Sequence, residues 1–90
     1  MAMNEQLKRE LRGRGHALKP VVTIGNAGLS AAVMREIGLS LQHHELMKVK
    51  IASGDRTQRT ATINTLCDRL GAELVQSIGH IALIYRASGD

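Results

Sequence analysis

The spacing of apolar positions changes several times along the chain, and each change marks an element. Leu7 and Leu11 stand four apart, with Met3 one turn earlier. This narrow stripe predicts a helix over residues 4–13, closed by Gly13 and Gly15. Pro20-Val21-Val22-Thr23-Ile24 is a run of β-formers, and Pro20 biases Lys19 towards an extended conformation. Gly25-Asn26-Ala27-Gly28 breaks that strand with a tight turn, and Gly25 is expected to take φ > 0 where the strand reverses. Leu29, Val33, Ile37 and Leu41 then recur every four residues around Ser30, a good N-cap, and predict a second helix over residues 30–42. Gly38 weakens that helix by about 1 kcal/mol relative to alanine.

Residues 46–52 alternate, so they read as a half-buried strand with Met47, Val49 and Ile51 towards the core and Lys48 and Lys50 away from it. Ser53-Gly54-Asp55 is a turn in which Asp55 and Gln58 form a capping box for a helix from Arg56 to Leu70. The core stripe of this helix is Ile63, Leu66, Cys67 and Leu70, and Gly71 stops it. Residues 72–78 and 81–86 are strands joined by a two-residue turn, Gly79-His80. The order α-β-α-β-α-β-β predicts an α/β (α+β) fold: three helices on a small mixed four-stranded sheet. The interleaved helices act as crossovers and imply some parallel pairing, while the last hairpin is antiparallel.

Composition narrows what such a fold does. A chain of 90 residues supports one domain, residues 1–90, with a single core. The longest apolar runs, such as Ile81 to Tyr85, are too short to span a bilayer, and the polar, charged N-terminus does not read as a signal peptide. The single cysteine, Cys67, fits a reducing cytoplasm and lies in a helical core stripe, where it reads as a small core residue rather than a nucleophile. Net charge is +4, and residues 1–59 carry ten Lys/Arg against five Asp/Glu, whereas residues 60–90 carry two against three. A one-sided positive surface follows, suited to a polyanion or serving solubility alone. There is no Trp or Phe and only one Tyr, so base stacking on exposed aromatics cannot be the main mode of any nucleic-acid binding.

The candidate binding groups are therefore backbone amides, helix termini and cations. Strand, Gly25-x-x-Gly28 and helix N-terminus in succession would present amides and a positive dipole end to a phosphate; equally, a strand-to-helix connection needs glycine to turn. Arg9, Arg12, Arg14 and Lys19 make the first helix and its link basic, which also describes a solvated helix face. Lys48 and Lys50, about 7 Å apart on one strand face, match the spacing of successive phosphates or else guard a sheet edge. Arg56 and Arg59 stand in the first turns of a helix, where the macrodipole favours acids, and this points to a ligand. His43-His44-Glu45 lacks the spacing of a metal site and suits a helix C-terminus. No catalytic triad, paired carboxylates, phosphate-loop lysine or metal motif is present, so no enzyme, cofactor, metal or small-molecule substrate is expected.

Taken together, the basic first helix, Leu18-Lys19-Pro20-Val21-Val22, Ile24-Gly25-Asn26-Ala27-Gly28-Leu29, His43 to Ile51 and the closing Leu83-Ile84-Tyr85-Arg86 resemble the CRM (chloroplast RNA splicing and ribosome maturation) domain in its bacterial single-domain YhbY-like form. The resemblance covers roughly residues 5–87. It implies a fold related to the C-terminal domain of bacterial translation initiation factor three. It also implies RNA binding through the loop Gly25, Asn26, Ala27 and Gly28 and the strand lysines Lys48 and Lys50, with rRNA of large-subunit precursors as the partner. Asn26 and Ala27 depart from the basic residues often found at the loop tip, which shifts affinity onto amides and onto charges elsewhere. Two functions stand against each other: a cytoplasmic RNA-binding protein of ribosome assembly, and a protein-interaction adaptor with a basic surface.

Overall fold

The computed structural model describes residues 3–87. In chain order the elements are α1 (Glu5–Gly15), β1 (Pro20–Ile24), α2 (Ala31–His44), β2 (Leu46–Ile51), α3 (Arg56–Leu70), β3 (Glu73–Ile78) and β4 (Ile81–Tyr85). The four strands form one sheet in the order β1-β2-β4-β3. β1 and β2 are parallel and joined by α2, whereas β2 with β4 and β4 with β3 are antiparallel. The mixed α+β arrangement expected from the element order is the one observed.

Local signals account for most helix boundaries. The Ser30 side chain accepts from the Val33 amide at 3.2 Å. Asp55 accepts from the Gln58 amide while Gln58 Oε1 accepts from the Asp55 amide, both at 2.8 Å. Gly71 ends α3 in the left-handed region at φ 64°. Elsewhere the helices run further than the glycine and apolar spacing predicts. α1 runs past Gly13 and includes Gly15, and α2 continues to His44, where Glu45 takes φ 62°. In the glycine loop the positive φ belongs to Gly28, at 69°, and not to Gly25.

Helices pack on both faces of the sheet, so the apolar interior has two layers rather than the single one expected from length. α2 and α3 cover one face, closing Val22, Ile24, Ile37, Leu41, Met47, Val49, Ile51, Ile63, Leu66 and Ile84 into the larger layer. α1 covers part of the other, packing Leu11 against Leu46, Val75 and Leu83. Gly15 is the condition for this second contact. A Cβ there would lie 2.5 Å from Leu83 Cδ2 and 2.8 Å from Cδ1, and Leu83 is itself buried. Arg86 ties the first layer together: its guanidinium donates to the carbonyls of Leu70 at 3.0 Å and Gly38 at 3.1 Å, linking the end of α3 to the middle of α2.

β2 is paired on both sides, which corrects one expectation: Lys48 and Lys50 guard no edge. Cys67 is buried in the larger layer, and its thiol is pushed up from 9.0 to about 11, first by burial and then by the charges of Glu73 and Asp68.

Two outcomes follow from this packing. Gly15→Ala should lower stability by about 1–3 kcal/mol through overpacking against Leu83. Gly13→Ala, with nothing within 4 Å of the new methyl, should raise it by about 0.5–1 kcal/mol; denaturant midpoints of the two variants should move in opposite directions. The folded state holds the Cys67 proton more tightly than the unfolded chain does. Its contribution is therefore whole below pH 9.0 and is lost as pH rises through about 11. Melting curves of the parent and Cys67→Ala should converge over that range, and the thiol should resist alkylation at pH 8 until denaturant is added.

Candidate nucleic-acid interface

Parallel pairing brings the C-terminal ends of β1 and β2 side by side, and three connecting segments meet there. The first is the glycine loop. The Gly28 amide donates to the Gly25 carbonyl at 3.0 Å, closing a four-residue turn, and Ser30 donates back to Gly28 at 3.0 Å. Asn26 and Ala27 form its exposed tip, and their amides donate to no protein acceptor among the described residues. A Cβ on Gly25 or Gly28 would have nothing within 4 Å, so the loop stands clear of the body. The N-terminus of α2, capped by Ser30, lies directly behind it.

The second segment, Ala52 to Asp55, is fastened to the first. Ser53 Oγ donates to the Gly25 carbonyl at 3.1 Å, and the Ala52 amide donates to the Ile24 carbonyl at 2.8 Å. The third is the Gly79-His80 turn. The Ile51 amide donates to the His80 carbonyl at 2.7 Å, and His80 Nδ1 lies 2.9 Å from the Ile51 carbonyl. Because its partner there is a carbonyl, Nδ1 carries the proton and donates. Ser53 and His80 thus join the site, although the sequence pattern marked them only as turn residues. Strand order alone reveals their position.

The cations divide between this end and the rest of the molecule. Arg56 and Arg59 begin α3 and line a hollow with Thr60, Ser77 and Gly79, beside the third segment. Arg59 Nη1 donates to the Gly54 carbonyl at 3.0 Å, while Arg56 is exposed. Lys50 is exposed as the penultimate residue of β2 and pairs in register with Thr23, two residues before Gly25. Lys48 differs: it is half-buried, and its ammonium donates to the Leu18 carbonyl at 3.0 Å, tying β2 to the link after α1. Arg14 and Lys19 line a depression with Leu18, Val21 and His44 at the starting end of β1 and β2. Five residues of strand, about 16 Å, separate them from the glycine loop. Arg9 is exposed on α1 and Arg12 half-buried. The predicted residues therefore form two groups rather than one patch: Gly25 to Gly28 with Lys50, Arg56 and Arg59, and the α1 group of Arg9, Arg12, Arg14 and Lys19.

Among the described residues there is no group of three or more His, Cys, Asp or Glu able to hold a metal ion. No described helix is long and apolar enough to cross a membrane.

A three-helix, four-stranded α+β fold with an open Gly-x-x-Gly turn at the end of a parallel strand pair defines a recognised class, and the chain belongs to it: residues 3–86 match the CRS1/YhbY (CRM) domain family. A probable RNA-binding protein of Pseudomonas aeruginosa is 42% identical over 86 residues, spanning 96% of this chain and 83% of that protein. An RNA-binding protein of Haemophilus influenzae is 43% identical over 88 residues, spanning 98% of this chain and 89% of that one. The solution structure of a Staphylococcus aureus protein, described as an RNA-binding candidate, superposes with a TM-score of 0.85 at 30% identity, covering 99% of this chain and 93% of that one.

The two strand lysines should separate on stability. Lys48→Met breaks the bond to Leu18 and should cost about 0.5–1.5 kcal/mol. Lys50→Met, with no such bond, should stay within about 0.5 kcal/mol of the parent. Chemical denaturation of both variants measures the difference.

Proposed function

We propose that this protein binds structured RNA through the loop end of its sheet, and that the RNA is rRNA of large-subunit precursors in the cytoplasm. The observation that carries the reading is the meeting of unpartnered loop amides, the N-terminus of α2 and the cations Lys50 and Arg56 on one edge. The connecting segments 25–30, 52–55 and 79–80 contain one carboxylate, Asp55, and it is engaged in the capping box. Such an edge favours phosphates along an RNA backbone and reads shape more than base identity. The names of the relatives support the RNA part of the reading. Its ribosomal part rests on the resemblance to CRM domains, and crosslinking in cells with sequencing of the bound fragments tests it.

Asn26→Asp with Ala27→Asp tests the site. Asp is favoured near a helix N-terminus, so the folded protein should melt within a few degrees of the parent. A carboxylate facing phosphate should reduce RNA affinity at least about tenfold, ~1.4 kcal/mol. A folded double variant that binds as well as the parent would reduce the loop to a structural turn. The parent should also show a slope of roughly −3 to −4 in log K against log salt, from four to six phosphates at about −0.7 each. A slope near zero would remove RNA and favour the adaptor.

A further inference from the structure

α1 covers only part of its side of the sheet. Its last residue, Gly15, rests on Leu83, and the chain then turns away, with the Leu18 amide donating to the Gly15 carbonyl at 3.0 Å. Between this point and the loop end the sheet is bare. One row of residues crosses all four strands there in register: Thr23, Lys50, Ile81 and Ile78. The next row towards α1 is Lys48, Leu83 and Gln76. Ile78, on an edge strand, is 65% exposed. Ile78 left open on a sheet edge, next to the half-buried Ile81, is an aggregation hazard unless something occupies it.

Between the end of α1 and this row is a depression of about 230 Å³. Ile78 and Ile81 supply apolar surface over the buried Leu83, Lys48 and His16 stand at its sides, and Gln76 offers an amide with both donor and acceptor. It is smaller than a drug-sized pocket and suits a single planar ring. From this we infer that the bare half of the sheet seats unpaired nucleotides next to the structured RNA held at the glycine loop, so that the protein prefers junctions between paired and unpaired RNA over duplex alone. The inference rests on the RNA-binding reading and specifies which RNA form the site takes.

Charge and shape favour this occupant. Neither row contains a carboxylate, and the Lys50 ammonium makes no bond to a protein acceptor among the described residues, so an occupant that brings anions meets an uncommitted cation. The isoleucines favour apolar groups placed beside those anions. A nucleotide chain offers both in alternation, and the rows extend to the glycine loop through Thr23 and Lys50. Self-association fits poorly, because a two-fold contact lays one cationic patch against another that also lacks a carboxylate to pair with Lys50. Aliphatic contacts stack bases less strongly than aromatic ones, so the preference concerns unpaired against paired nucleotides more than base identity.

The test compares a blunt, fully paired RNA duplex with a duplex of the same total number of nucleotides whose ends carry four unpaired nucleotides, by fluorescence anisotropy at fixed salt. The parent should bind the tailed duplex at least about fivefold more tightly. Ile78→Ser and Gln76→Ala, both exposed and charge-conserving, should bring the two affinities within about twofold while leaving the blunt duplex's affinity and the melting temperature unchanged. Equal affinity of the parent for the two RNAs would overturn the inference while leaving RNA binding standing. Failure to bind either would overturn the RNA reading with it. A parent that sediments as a dimer, converted to monomer by Ile78→Ser, would assign the face to a second copy and overturn the inference as well.

Discussion

β1 and β2 lie parallel, and the rest of the architecture depends on that pairing. Two parallel neighbours need a crossover, and α2 supplies it. Both strands then end on the same edge of the sheet, and the helices that follow them, α2 and α3, begin there. Two positive helix ends are thereby set side by side under open glycine backbone. The antiparallel β3–β4 hairpin brings its turn to the same edge through the bonds between Ile51 and His80. An all-antiparallel sheet from the same elements would scatter these segments over both edges.

β2 at the interior of the sheet has a second consequence. Its residues serve three environments in turn: Met47, Val49 and Ile51 the larger layer, Leu46 the contact with α1, and Lys50 the open face. The helix α1 stops where Leu83 fills the space a side chain on Gly15 would need. Where that helix ends decides which part of the sheet is core and which is surface.

Cations of one chemical type do different work here, and their partners tell them apart. Lys48, Arg59 and Arg86 donate to backbone carbonyls of Leu18, Gly54, and Leu70 with Gly38, respectively. They hold a link, a turn and two helices in place. Arg56 and Lys50 are exposed at the loop end and remain available to an anion. The net charge of +4 describes the total and conceals this division.

The sequence by itself determined whatever depends on residues three or four apart or on strict alternation. Ser30, Asp55 with Gln58, and Gly71 satisfy amides or carbonyls within one turn of themselves, and the helix boundaries lie where they mark them. The inward set on β2 and the stripe of α3 follow from period alone, and Gly25-x-x-Gly28 is recognisable as a tight turn between strand and helix. Gly15, Ser53 and His80 had no such signal: their partners Leu83, Gly25 and Ile51 lie 28 or more residues away, and only strand order brings them together. The same holds for the separation of Arg14 and Lys19 from the loop and for the fastening of Lys48. Periodicity states which side a residue faces. Which element waits on that side, and whether a cation there meets a carbonyl or open solvent, is set by long-range pairing and was decided by the tertiary structure.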